Sequence, residues 1–261
     1  MKKLGLIGQD ISYSLSKKLH QNIASMYHLD VSYEIFDVKE QSLQTLFDQM
    51  RQGKYDGFNI TKPYKEKVIP FLDELTDQAK RIGAVNTVFK NQNKMIGHNT
   101  DYDGFIGLIQ WFNISFENKN IYILGSGGAA RACYVALTDL GFDPVIVSRT
   151  PYKKHPLFKK MITYESLRPK ANDICINATP LGMGSYKTYS PLTFNQKKEL
   201  TVIDLNYRPL VTKFMEGAKQ GYQGLYMFFI QGIKSEMLWH QRPLDISVET
   251  LKSLKEVLKN E

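Results

Sequence analysis

The stretch "KNIYILGSGGAARACYVALTDLG", residues 119–141, decides the fold. An apolar run, Ile121 to Leu124, leads into Gly125-Ser126-Gly127-Gly128-Ala129-Ala130, and a helical pattern continues to Gly141. Short apolar runs bounded by glycine read as buried strands of a parallel sheet. Strand, G-x-G-x-x-A and helix in this order form the dinucleotide-binding fingerprint in the context it requires. Gly125 permits the tight turn, and Gly127 lets backbone N–H groups approach a pyrophosphate. Ala130 is small enough for helix and strand to pack closely, and the positive end of the helix faces the phosphates.

Outward from this loop, "DPVIVSR", "DICINAT" and "LTVIDLNY" are further short apolar strands, separated by helix or loop. They predict a Rossmann-like, doubly wound lobe over residues 103–223. The end of "PVIVSRT" decides which dinucleotide is bound. An acidic residue ~20 positions after the glycines would hold a ribose 2′-hydroxyl. Ser148, Arg149 and Thr150 stand there instead, with Lys153 and Lys154 close behind, while Asp139 and Asp143 come too early. A carboxylate repels a 2′-phosphate, whereas a guanidinium donates paired, charge-assisted hydrogen bonds to it. NADP(H) is therefore expected over NAD(H).

The first hundred residues alternate in the same way. "KLGLIG", "VSYEIFDV" and "YDGFNIT" read as strands, and "VNTVFKN" with "KMIGHNT" as a strand pair. Between them, "SKKLHQNIASMYHL" carries Leu19, Ile23 and Met26 at helical spacing, with Ser16 as N-cap. "SLQTLFDQMRQG" is a second amphipathic helix, ended by Gly53. Such alternation predicts a mainly parallel sheet under helices, an α/β substrate lobe over 1–102. Two helical patterns, "LYMFFIQGIKSEMLWH" and "VETLKSLKEVLK", fill 224–261 and are expected to pack back on that lobe.

The chain of 261 residues is ordinary in composition, with 43% hydrophobic and 23% charged residues, which excludes disordered and fibrous classes. No apolar run approaches the ~18–20 residues that span a bilayer, and "LGLIG" is too short for a secretory core, so a cytoplasmic protein is expected. The net charge of +8 comes from scattered lysines without interleaved aromatics. Attraction of small anions accounts for it as well as nucleic acid does, and a solvated lysine-rich surface accounts for most of it. Cys133 and Cys175 read as buried, reduced thiols, and none of the 5 histidines falls in a metal-binding pattern. No membrane, nucleic-acid or protein partner is implied; the expected partner is a small molecule.

A nicotinamide exchanges hydride with a carbonyl or an alcohol, so the first lobe should supply a proton donor and hydrogen-bonding groups. Its polar strand ends do: Ser14 and Ser16 in "SYSLS", Asn59, Thr61 and Lys65 in "NITKPYK", Asn86 in "GAVNT", Asn99 and Asp101 in "GHNTD". Strand ends of a parallel sheet line one crevice. Within "GFNITKPYKEK", residues 57–67, the proline is expected to turn the chain into a short charged helix that carries Lys65.

Through these motifs the sequence resembles the shikimate dehydrogenase family. The likeness runs over nearly the whole chain: S-x-S with His20 after it, N-x-T-x-P-x-K, G-A-V-N-T, N-T-D, the glycine loop, R-T, "NATPLGM", D-x-x-Y-x-P at Asp204, Tyr207 and Pro209, and the late Gln231. The resemblance implies NADPH-dependent reduction of 3-dehydroshikimate to shikimate, a step of aromatic amino-acid synthesis. It implies Lys65 and Asp101 as the catalytic pair. Ser14, Ser16, Thr61, Asn86 and Gln231 would hold the substrate, with Tyr207 near it and Asn59 among the same polar groups. Met183, Leu205 and Gly224 match positions lining the nicotinamide pocket, and Asp77 one near the cofactor. Two other readings are a quinate/shikimate dehydrogenase that accepts NAD and a non-catalytic NADP-binding sensor. The chain departs from the family pattern at Lys17, Gln21, Lys62, Ser148 and Gln241.

Overall fold

The computed structural model describes residues 1–151 and 155–259, so Lys153 and Lys154 lie outside the described residues. The strands and α-helices run β1 (Lys2–Gly8), α1 (Ser16–Met26), β2 (Val31–Asp37), α2 (Leu43–Arg51), β3 (Gly57–Ile60), β4 (Glu74–Leu75), α3 (Asp77–Ile82), β5 (Thr87–Asn91), β6 (Lys94–His98) and α4 (Thr100–Phe112). They continue with β7 (Ile121–Leu124), α5 (Gly128–Asp139), β8 (Val145–Val147), β9 (Met161–Ile162), β10 (Ile174–Asn177), α6 (Phe194–Lys197), β11 (Thr201–Asp204), β12 (Gln220–Gln223), α7 (Leu225–His240) and α8 (Val248–Lys259). Two compact units form: Met1–Gly104 with Phe229–Glu261, and Phe105–Phe228. Helices α4 and α7 each have residues in both.

The first unit holds a sheet in the order β2-β1-β3-β5-β6-β4. Its β2-β1-β3 part is parallel, whereas β5 runs antiparallel to both β3 and β6. Side-chain alternation sorts the residues of β1 and β3 between the two faces. Ile7, Phe58 and Ile60 pack with Leu43, Leu46, Phe47 and Met50 of α2, whose spacing makes one apolar stripe. Leu4 and Leu6 pack with Tyr33 and with Trp239 of α7 on the other face. The same alternation turns Asn59 toward α7.

The second unit is a parallel sheet in the order β12-β11-β10-β7-β8-β9. Counted along the chain from β7, this is the 3-2-1-4-5-6 winding of dinucleotide-binding folds, with its switch point between β7 and β10. Residues 130–137 of α5 are all buried. Part of that enclosure comes from the connection at 148–160, which has no helix among its described residues. Phe158 packs edge-on against Tyr134 of α5 at 5.0 Å, and the Tyr134 hydroxyl accepts the Lys159 N–H at 3.0 Å.

Three local expectations differ from the structure. The residue at the α1 N-cap position is Leu15, without a side-chain cap, and the Ser14 hydroxyl accepts the Ser16 N–H at 3.2 Å. Met26 is exposed rather than buried, being the last residue of its helix. The segment after Pro63 forms turns instead of a charged α-helix. Ile69 N–H bonds to the Glu66 carbonyl, and the Lys65 carbonyl accepts from Val85 at 2.7 Å, so the bond from residue 69 to residue 65 is not made. Pro63 and Pro70 bracket a segment too short for stable α-helix.

Candidate active site

In the first unit the polar ends of β3, β5 and β6 meet the start of α4. Lys65 Nζ donates to Asp101 Oδ2 at 2.5 Å, and the two side chains are 20% and 11% exposed. Asn86 Nδ2 donates to the other carboxylate oxygen, Oδ1, at 2.9 Å. The Asn86 side-chain carbonyl oxygen in turn accepts the Thr100 N–H at 2.7 Å, and Asn99 Oδ1 accepts the Asp101 N–H at 3.1 Å. Asp101 is thus fixed at its backbone and at both carboxylate oxygens, and Lys65 is the more solvent-exposed of the pair.

Behind this pair lies a buried hydroxyl cluster that sequence reasoning missed. Ser235 of α7 lies 2.9 Å from Thr87 Oγ1 and 3.3 Å from Thr100 Oγ1, and it donates to the Gln231 carbonyl at 2.9 Å. Asn59 Nδ2 donates to Ser235 Oγ at 3.0 Å, and Asn59 Oδ1 accepts from the Tyr33 hydroxyl at 2.7 Å. The one sequence signal for Ser235 was its i+4 spacing from Gln231 on α7.

Asn59 and Asn86 are buried and bonded inside the chain, whereas Ser14, Thr61 and Gln231 are half-buried. The Ser14 hydroxyl donates to Ser16 Oγ at 3.0 Å, and Ser16 is buried at the first turn of α1. Lys62, exposed beside Thr61, holds its ammonium over the Tyr13 ring at 5.5 Å. Asp77 stands apart, with a side chain 95% exposed and paired to Lys80 at 3.2 Å on α3.

In the second unit the glycine loop follows β7, and Gly125 has φ +109, a conformation that favours glycine. A Cβ on Gly127 would meet nothing within 4 Å, and α5 begins there with no side-chain cap. Ser126, Gly128 and Ala129 complete this open, uncapped helix start. Its backbone donors and dipole fit the pyrophosphate of a dinucleotide.

At the end of β8, Ser148 is buried and its hydroxyl accepts the Thr150 N–H at 3.2 Å, while Arg149 is exposed. Burial pushes the Tyr164 phenol up, and the Arg149 charge pulls it back. At the ends of β10 and β11, Asp204 accepts from Asn177 Nδ2 and the Asn206 N–H at 3.0 Å and from Thr212 Oγ1 at 2.5 Å. Burial nevertheless raises its carboxyl to about 6, against the pull of these donors. Gly224 is pressed against this strand end, where a Cβ would lie 2.3 Å from the Leu205 carbonyl oxygen. Met183 is half-buried after β10, and Tyr207 stacks on Phe228 at 4.3 Å.

Comparison with known proteins identifies a family. Residues 6–88 match the shikimate dehydrogenase substrate binding domain family. A protein of Clostridium botulinum (strain 657 / Type Ba4) named shikimate dehydrogenase (NADP(+)) is 36% identical over 245 residues, covering 90% of this chain and 95% of that one. The solved structure of shikimate dehydrogenase 1 from Peptoclostridium difficile superposes with a TM-score of 0.91 at 31% identity, covering 99% of this chain and 98% of that one. A shikimate 5-dehydrogenase of Thermus thermophilus, solved in complex with NADP(H) and shikimate, gives a TM-score of 0.85 at 31% identity, covering 99% and 100%. Likeness of this extent in sequence and backbone places the assignment beyond a shared fold: the chain belongs to the shikimate dehydrogenase family.

Proposed function

We propose that the chain reduces 3-dehydroshikimate to shikimate with NADPH, reversibly, in the cytoplasmic synthesis of aromatic amino acids. The observation that carries this reading is the Lys65 ammonium, held by an Asp101 carboxylate that Asn86 and Asn99 fix in turn. When bound, NADPH supplies a hydride to the ring carbonyl carbon. The carbonyl oxygen gains negative charge and takes a proton from Lys65 Nζ, which leaves the neutral amine to be reprotonated from solvent. In the reverse direction the amine accepts the hydroxyl proton. A general acid so placed contributes typically ~10²–10⁴-fold.

A small polyhydroxylated acid offers many polar atoms and little apolar area. The hydroxyls of Ser14, Ser16 and Thr61, the Gln231 amide and the Tyr207 phenol suit it, because a mismatched hydroxyl leaves one of them unpaired at ~1–3 kcal/mol. Asn59 and Asn86, bonded inside the chain, act behind that layer by fixing strand ends and Asp101. We assign the substrate to residues 1–102 and the dinucleotide to 103–223, with Gly125 to Ala129 on the pyrophosphate and Ser148, Arg149 and Thr150 on the 2′-phosphate. Met183, Leu205 and Gly224 fall to the nicotinamide end, and Asp77 to the cofactor's surroundings. None of the described helices is long and apolar enough to cross a membrane.

The test mixes purified chain with shikimate and either NADP⁺ or NAD⁺ and follows absorbance of the reduced nicotinamide. Turnover with NADP⁺ at much higher kcat/KM than with NAD⁺ is expected. Equal use of both cofactors, or nucleotide binding without turnover, overturns the reading.

A further inference from the structure

Three ionisable groups that this chemistry leaves unused, His20, Glu236 and His240, lie together in the first unit. Glu236 follows Ser235 on α7 and is fully buried, as is His20 on α1. His20 Nδ1 lies 2.7 Å from Glu236 Oε1, and His240 Nε2 lies 3.3 Å from Glu236 Oε2. Burial by itself would raise this carboxyl, but the two imidazoles outweigh it and hold Glu236 below the ordinary range. An ionised carboxylate removed from water is strongly destabilising when unpartnered. The fold therefore keeps both rings against it.

Two lines of contact run from this pair to the groups assigned to substrate and proton. His20 sits four residues after Ser16, so the two share one face of α1. Ser16 in turn bonds Ser14 through both its N–H and its hydroxyl. The His20 ring also lies flat against Tyr33, with centroids 4.3 Å apart and planes 7° from parallel. The Tyr33 hydroxyl donates to Asn59, and Asn59 donates to Ser235, beside Thr87 and Thr100.

We infer that Glu236 is a positioning residue for substrate binding: through His20 it fixes the rotation of α1 and hence the direction of the Ser14 and Ser16 hydroxyls. The inference rests on the functional reading above. A glutamine at 236 keeps the volume but carries no charge, so its hold on His20 Nδ1 weakens from a charge-assisted contact to a neutral one.

The experiment is a double-mutant cycle in steady-state kinetics on the full chain, with wild type, Glu236→Gln, Ser16→Ala and the double variant. Glu236→Gln raises KM for shikimate about tenfold, with KM for NADP⁺ within about twofold of wild type. In the double variant the two penalties on that KM do not multiply, because Glu236 acts on the substrate in part through the Ser16 hydroxyl. Penalties that multiply, an unchanged KM for shikimate, or a parallel rise in KM for NADP⁺ overturn the inference. Should Glu236→Gln fail to fold, Glu236→Asp keeps the charge but shortens the reach, and it must show the same selective rise in KM. A wild-type chain inactive on shikimate removes the functional reading and this inference together; the other outcomes all require an active wild type.

Discussion

Asp204→Asn gives the account a quantitative test of burial against hydrogen bonding. Asp204 is fully buried at the end of β11 and accepts from Asn177, Asn206 and Thr212. Donors of this kind lower a carboxyl, and loss of water raises it. Burial prevails here, taking the group from its ordinary 3.8 to about 6. At ~1.4 kcal/mol per tenfold change in proton affinity, that displacement corresponds to ~3 kcal/mol. The sign follows from which form the fold prefers. The native state favours the neutral acid, so the stability from this group is fully present below the unfolded value of 3.8 and is lost as pH rises through about 6. Asparagine does not titrate. Urea unfolding of both proteins at about pH 4 and about pH 7.5 should show wild type losing ~2–3 kcal/mol relative to the variant as pH rises. A difference that stays flat, or one that moves in wild type's favour, would show the three donors overcoming burial and refute the reasoning.

Two further substitutions bear on the assigned roles. Arg149→Ala should raise KM for NADPH at least about tenfold while leaving KM for NADH nearly unchanged, since a charged bond to a 2′-phosphate contributes ~1.5–3 kcal/mol; equal effects on the two cofactors contradict the assignment. Asn86→Ala removes a bond to the Asp101 carboxylate and a partner of the Thr100 N–H, so kcat should fall about 10–100-fold. A change confined to KM would instead mark Asn86 as a direct substrate contact.

Much of the second unit was legible because the glycine loop combines local constraints that reinforce one another. An apolar strand, a residue at positive φ and a close-packed alanine can each be read within a dozen positions. Its outer strands were not legible. Met161–Ile162 is too short for a pattern, and "QGYQ" at 220–223 is a polar edge strand without an apolar run. In the first unit Lys65, Asp101 and the two asparagines that fix Asp101 could be named from motifs, but the hydroxyl cluster behind them could not. Thr87 and Ser235 are 148 positions apart and meet only through the packing of α7 on β5. The turn that carries Lys65 was misread for a related reason, because its backbone bond goes to distant Val85 rather than along the local chain. Gln241 shows the converse. It follows the end of α7 at φ +50 and bonds the Lys90 carbonyl, so a tertiary contact supports a conformation that its own side chain disfavours.

The central claim is that the Lys65 ammonium moves the proton while its neighbours hold the substrate. Its most direct test is the kcat of Lys65→Ala for shikimate oxidation with NADP⁺ under saturating conditions. The account predicts a fall of at least ~10²-fold with KM for shikimate little changed. A variant that keeps near-normal kcat would contradict it.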